Sequence, residues 1–558
     1  MRQGYHGNRR CPARSGRFPV RRLFARGCGL SVRLTAALLC AAALLGLSAC
    51  GARDPGADRT VRMELDGAPS TIDPLLVSAS SELLVAYNVF EGLTRVEQDG
   101  SVSLAAAEKY TVDDSRTVYT FTLREDALWS DGEPVRAQDF VFGLRRAVDP
   151  VTKARAASSL DCIENASQIV RGERPVTDLG ATAVDDRTLV IRIQQPYDSF
   201  LSLMASNMAM PCREDFFNQA AGRYGMTQKT LLCNGPFAVR RWTDRVSMTL
   251  IRNGKYHGSH PARSSAVTLQ FDKSEEGRIE RLNNQETDFG LCSDPAAVSG
   301  DSLKLHYDFD TSYALWFSLD HPVLKGVKAR AALAGLVNEG LFSNLPGHIR
   351  PSEGLIPDGC TVGGLSYRAS AGPSARLTLD AAQAKADYAA AAQSKEAKNA
   401  SAITLLYPDS DAMKAVASRL VQQWQKELGA YVDLKPAPAS QLYRTVRSGE
   451  FQIALLPLRS GDNSALTLLQ SFAGETFSLP SKLDEELDRF LTTAASAQED
   501  AGRAQSIRSA EQWLIDQALA VPVVQTAVCY AARPVVDGVL FSFSSRTLDL
   551  SMIGKTSD

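Results

Sequence analysis

Several familiar patterns are missing from this sequence. None of its 10 cysteines falls in a CxxC pair, and there is no GxSxG elbow, no HExxH helix and no GxxxxGK[ST] loop. The usual signatures of a thiol redox or zinc site, a serine hydrolase, a zinc protease and a nucleotide-phosphate site are therefore absent. Histidines number 6. Only His257 and His260 lie close together, in a polar HGSH segment. That spacing suits two solvent-facing rings, with a metal pair as the alternative. An excess of one charge is also lacking: 61 Lys+Arg stand against 63 Asp+Glu, for a net charge of −2. No global field attracts nucleic acid, and no cofactor is expected.

What is present begins with a basic leader. Arg2, Arg9, Arg10, Arg14, Arg17, Arg21, Arg22, Arg26 and Arg33 precede the first acidic residue, Asp54. The uncharged run LTAALLCAAALLGL, from Leu34 to Leu47, is short for a membrane-spanning helix, which needs about 20 apolar residues. A basic region, a short apolar core and small residues at its end describe a secretory signal. The end, Leu47-Ser48-Ala49-Cys50, resembles the bacterial lipoprotein signal, in which the cysteine is diacylated and becomes the mature N-terminus. Two acyl chains anchor stably where one holds weakly. This resemblance implies a signal peptide over 1–49, lipid attachment at Cys50, a polar tether over 50–60 and a place on the extracytoplasmic face of the cell membrane. A cleaved signal with an incidental cysteine is the alternative. Cys162, Cys212, Cys233, Cys292, Cys360 and Cys529 remain in the body. An exported chain permits disulfides, and six cysteines allow 15 pairings, among which the sequence does not choose; buried thiols are the other reading.

At about 150 residues per domain, the chain is long enough for roughly three domains. Strands are expected at Arg62 to Leu65, Val118 to Leu123, Thr188 to Ile193, Val246 to Ile251, Tyr431 to Leu434, Phe451 to Leu456 and Val521 to Val524. Helices are expected at Ser81 to Phe90, Val135 to Val148, Leu377 to Ala402, Ala412 to Leu428 and Gly502 to Ala520. Gly429 marks a helix stop. Pro351 to Pro373 and Asp294 to Asp301 read as loops. Mixed helices and strands without a fixed repeat argue for an α/β class.

An ordered series then appears: Thr71-Ile72-Asp73-Pro74, Phe90-Glu91-Gly92-Leu93, Tyr119-Thr120-Phe121-Thr122-Leu123-Arg124, Trp129-Ser130-Asp131-Gly132 and Ala137-Gln138-Asp139-Phe140. Asn234-Gly235-Pro236-Phe237, Val327-Lys328-Ala329-Arg330-Ala331-Ala332-Leu333, Ser448-Gly449-Glu450-Phe451 and Val521-Pro522-Val523 continue it. The series resembles the family-5 extracellular solute-binding proteins, which serve oligopeptide, dipeptide and nickel ABC importers; the oligopeptide branch is nearest in layout. The resemblance implies a two-lobed, periplasmic-binding-protein-like α/β fold with a third domain and a hinge. Lobe I would comprise 61–92, 213–308 and 527–558, the extra domain 93–212, and lobe II 309–526. It further implies a monomeric binder, not an enzyme, that closes on a peptide or other small solute and presents it to permease subunits.

In the peptide-binding branch, strand-like edges pair with the ligand backbone. Carried over by position, one edge falls on Ser78, Ala79 and Ser80, and the opposing one on about Leu456 to Gly461. Tyr313 and Trp424 fall near side-chain pockets, with a packed strand residue and a core anchor as their alternatives. The family's peptide binders carry an aspartate for the ligand α-amine just after a tryptophan. Here Leu458 takes the tryptophan position and Gly461 the aspartate position; Asp462 stands one residue later, and Arg459 suits a ligand carboxylate. A nickel or metallophore complex, a surface signalling receptor and, remotely, a secreted lipoprotein hydrolase are the alternative functions.

Overall fold

The computed structural model describes residues 60–556, apart from 98–100, 198, 272–273, 293–294, 296–297, 299–302, 364, 461–463, 473–480, 498 and 543–546. The expected signal peptide, most of the expected tether and Cys50 lie outside the described residues. The elements that position the site are numbered here in chain order. They begin with β1 (Val61–Leu65) and α1 (Ser80–Val89), then β2 (Ala107–Val112), β3 (Val118–Leu123), α2 (Ala137–Val148), β4 (Ala181–Ala183) and β5 (Thr188–Arg192). Next come β6 (Phe237–Thr243), β7 (Ser247–Arg252), β8 (Ala266–Phe271), β9 (Phe289–Leu291) and β10 (Lys304–Phe317). β11 (Ile349–Pro351), β12 (Ile403–Pro408), α3 (Asp411–Leu428), β13 (Val432–Ala437), α4 (Ala439–Arg447), β14 (Ile453–Leu458), α5 (Asp500–Asp516) and β15 (Ala520–Ala532) complete the set.

Local chemistry sets these elements. Along β3 exposure alternates at every residue, because β-branched and aromatic side chains alternate between a packed and a solvated face. At the N-terminus of α2 the Asp139 carboxylate accepts from the Arg136 N–H at 2.9 Å and the Trp129 indole at 3.0 Å. α3 begins at Ser410, whose side chain accepts from the Met413 N–H, and ends at Gly429 in the left-handed region, φ 70°, where glycine carries no Cβ penalty.

One 11-stranded sheet runs β13-β12-β14-β10-β15-β9-β1-β8-β7-β6, with β11 paired to β15. Its two halves are the sheets of two lobes, and β10 and β15 cross between them. They pair antiparallel from Lys304↔Ala532 to Trp316↔Ala520, with register shifts between Phe309 and Thr311 and between Tyr313 and Ala314. A separate 4-stranded sheet, β2-β3-β5-β4, packs with α2 and forms the extra domain's frame. Its core is continuous with that of the first lobe, whereas the second lobe holds two cores of its own, on either side of its sheet.

Some sequence expectations need correction. The alanine-rich helix spans only Ala381–Ala392. The expected loop from Pro351 to Pro373 contains a short hairpin, Thr361–Val362 with Leu365–Ser366, and a helix, Tyr367–Ala371. It is pinned by Glu511 of α5, fully buried, which accepts from Leu355 N–H at 2.7 Å, Ile356 N–H at 3.0 Å and the Tyr367 hydroxyl at 2.8 Å. The late strand is 13 residues long, against the short segment expected.

Candidate functional site

The second lobe presents one incompletely paired strand. β14 pairs with β10 as far as Ser312↔Leu458, but with β12 only through Leu405↔Ile453 and Leu406↔Ala454. From Leu456 to Leu458 the side of β14 away from β10 faces no strand among the described residues; the outward-facing residue there is Pro457, which has no N–H and offers a guest backbone only its carbonyl. Tyr443 of α4 donates its hydroxyl to the Pro457 carbonyl. Beside it lie half-buried Tyr313, whose β10 position pairs with Pro457, and exposed Arg459. Burial raises the phenols of Tyr313 and Tyr443, and the nearby Arg459 charge opposes that rise in both.

An acidic floor underlies this wall. Burial, helped by Asp310 and Asp358, pushes the Asp308 carboxyl up to about 8. Its Oδ2 is buried with no hydrogen-bond partner among the described residues, as suits a protonated acid. Tyr530 on β15 is raised by burial and then by Asp308, Asp66 and Asp310. Asp66 in turn accepts from the Ser80 hydroxyl at 3.3 Å. This chain of neighbours runs from the start of α1, across the crossing strands, to Tyr313 and Arg459. Arg350 is set among these acids: it pairs with Asp358 and lies 3.8 Å over the Phe309 ring. Neither the acidic floor nor Tyr443 was singled out in the sequence; its signal was the alternation of Asp308 and Asp310 along a strand.

The predicted residues divide. Tyr313, Arg459 and the backbone of Leu458 come together. The Leu458 side chain does not join them, being 3% exposed and packed in the second lobe's core. Ser78, Ala79 and Ser80 are exposed, but the N–H groups of Ser78 and Ala79 already donate to Glu82 Oε2 at 2.8 and 3.1 Å. Glu82, four-fold hydrogen-bonded with Ser70 as well, is the helix-capping residue that shapes this segment. Burial would raise its carboxyl, but the hydrogen bonds outweigh that and hold it lower. Trp424 is corrected: it is fully buried, and its indole N–H donates to the Leu333 carbonyl at 2.9 Å. It anchors a core rather than lining a pocket. Gly461 and Asp462 lie outside the described residues. His260 faces Glu97 at 3.3 Å and Ser259 at 2.9 Å.

A polar cleft of about 690 Å³ separates the extra domain (Ser158, Asp161, Gln194) from the second lobe (Ser464, Thr467, Gln470).

The model of the bacterial extracellular solute-binding proteins, family 5 (middle region), matches residues 101–478. The probable deoxycholate-binding periplasmic protein YgiS of Escherichia coli is 27% identical over 483 residues, covering 84% of this chain and 88% of its own length. The periplasmic oligopeptide-binding protein OppA of the same species is 26% identical over 484 residues, 84% of this chain and 87% of its own. Among solved structures, the unliganded open form of the murein tripeptide-binding protein MppA superposes with a TM-score of 0.76 at 22% identity, over 90% of this chain and 98% of that one. The two-lobed fold is shared.

Proposed function

The chain belongs to the family-5 bacterial extracellular solute-binding proteins, and from that premise we propose that it captures peptides between its lobes and delivers them unaltered to the permease subunits of an ABC importer. The observation that carries this reading is the open edge of β14 beside Arg459 and Tyr313, next to the strands about which the lobes bend. A peptide N–H can pair with the Pro457 carbonyl at this edge, a main-chain hydrogen bond indifferent to side-chain identity. Arg459 suits the ligand's carboxylate, and Asp462 its amine. The names of OppA and MppA support a peptide ligand.

A second reading rests on YgiS, whose name gives deoxycholate as its ligand, and on the absence of an aspartate at position 461. A bile-acid-like anion would use Arg459 and leave the β14 edge unpaired. One experiment separates the two: native mass spectrometry of the purified protein, followed by calorimetry with a peptide mixture and with deoxycholate. Peptide uptake with unchanged peptide masses upholds the proposal. Heat only with deoxycholate, or cleaved peptides, overturns it.

We also assign Cys50 as the site of diacylation, which places a monomer on the extracytoplasmic membrane face. Cys50→Ser is expected to move the protein from the membrane to the soluble fraction on ultracentrifugation, with its thermal midpoint unchanged. Retention of the variant in the membrane would count against the anchor.

A further inference from the structure

Cys292 directly follows β9, and Cys529 lies in β15. These strands pair antiparallel through Phe289↔Ala532, Gly290↔Ala531 and Leu291↔Tyr530. The next step sets Cys292 opposite Cys529, and the Cys292 N–H donates to the Cys529 carbonyl at 2.9 Å. Directly opposed, hydrogen-bonded residues of antiparallel strands have Cα atoms about 5.5 Å apart, within the span of roughly 4.4–6.8 Å that disulfides bridge. Both side chains enter one small apolar cluster with Ile279, Leu282 and Ala531. The Cys529 thiol hydrogen-bonds to Cys292, and this bond, with burial, raises it.

We propose that Cys292 and Cys529 form a cross-strand disulfide in the exported protein. The inference rests on export, which the family shares, and not on the identity of the ligand. One cysteine thiolate attacks the disulfide of a thiol–disulfide oxidoreductase or of oxidised glutathione, giving a mixed disulfide and releasing one thiol of the oxidant. The second thiolate then displaces the oxidant's other sulfur. Two protons and two electrons leave the cysteines, and the oxidant ends as two thiols. Both residues are nearly fully buried, Cys292 at 0% and Cys529 at 3% exposure, so the exchange takes place before the strands close, and the finished bond is shielded from reductant.

The bond has a mechanical consequence. It ties crossing strand β15 to the first lobe's sheet three residues beyond Thr526, leaving the register shifts at Phe309/Thr311 and Tyr313/Ala314 as the places that bend.

The full chain is exported in a bacterial host, recovered from the cell envelope, alkylated under denaturing, non-reducing conditions, digested and mapped by mass spectrometry. The expected result is a pair of peptides joined through Cys292 and Cys529 that separates on reduction. Alkylated Cys292 and Cys529 in the exported protein, or a link from either one to another cysteine, overturns the proposal. A Cys292→Ser/Cys529→Ser variant gives an independent reading. Dithiothreitol is expected to lower the wild-type thermal midpoint by at least about 3 °C and to leave the variant's unchanged; a wild type indifferent to dithiothreitol after unfolding and refolding in its presence overturns it equally. Ligand calorimetry on the same samples reports the binding reading separately.

Discussion

Asp73, from the Thr71-Ile72-Asp73-Pro74 motif, lies 2.6 Å from Arg146 of α2, both nearly buried, with the guanidinium 4.0 Å over the Phe217 ring. Glu91, from Phe90-Glu91-Gly92-Leu93, exchanges hydrogen bonds with Asn234, from Asn234-Gly235-Pro236-Phe237, at 3.0 and 2.8 Å. Arg330, from the Val327 to Leu333 motif, is nearly buried, and its guanidinium donates to the carbonyls of Leu324, Lys325, Gln517 and Ala518; burial lowers it to about 10. These motif residues fasten distant parts of the chain together. Trp424 belongs with them. Trp424→Ala is expected to cost about 3–5 kcal/mol of stability in urea denaturation, with ligand affinity retained; a selective loss of affinity at wild-type stability would return it to a pocket. Asp462→Ala is expected to weaken binding of free-amine peptides by about 2–5 kcal/mol, read by calorimetry, whereas equal affinity removes it from the site. A motif of chemistry-bearing residues is visible in the sequence, but whether its carboxylate meets a ligand or a guanidinium is decided by where the partner lies in space.

Among the elements, β10 and β15 matter most. β10 was not expected as a strand and β15 only from Val521 to Val524, because a strand that leaves one lobe's core and enters another's changes which face is buried midway, and the period-2 pattern is lost. Burial along β10 passes from half-exposed at Lys304 to Asp310 to buried at Ala314 to Phe317. By contrast, β3 and α3, each packed in a single core, were readable almost to the residue. The crossing strands carry a pH dependence. The Asp308 carboxyl rises from an ordinary 3.8 to about 8 through burial and through Asp310 and Asp358. The folded chain then keeps a proton that the unfolded chain has released, so folding is least penalised below about pH 4, and stability falls as pH rises from there to about 8. Asp308→Asn removes that penalty. It is expected to stabilise the protein at pH 8 by about 1–3 kcal/mol and to change little at pH 4, read as urea midpoints at the two values. An equal gain at both would assign the effect to packing.

As a whole molecule, the protein consists of two lobes on one continuous sheet, with the extra domain sharing the first lobe's core. A hinge of two crossing strands among the described residues permits rigid-body closure, since few hydrogen bonds need to change when the lobes rotate. Adding ligand is therefore expected to reduce the radius of gyration in small-angle scattering while the circular dichroism spectrum stays fixed; binding without compaction would rule out closure. Residue order alone determined the α/β class, the family resemblance and most single-core elements, because those depend on periodicity and on motifs within a few turns of chain. Only the tertiary structure decided that Trp424 is core, that Glu82 occupies two amides of the Ser78–Ser80 segment, that aspartates line the crossing strands and that Cys292 faces Cys529. Each of these is a contact or a burial set by packing between distant segments, and no local pattern encodes it.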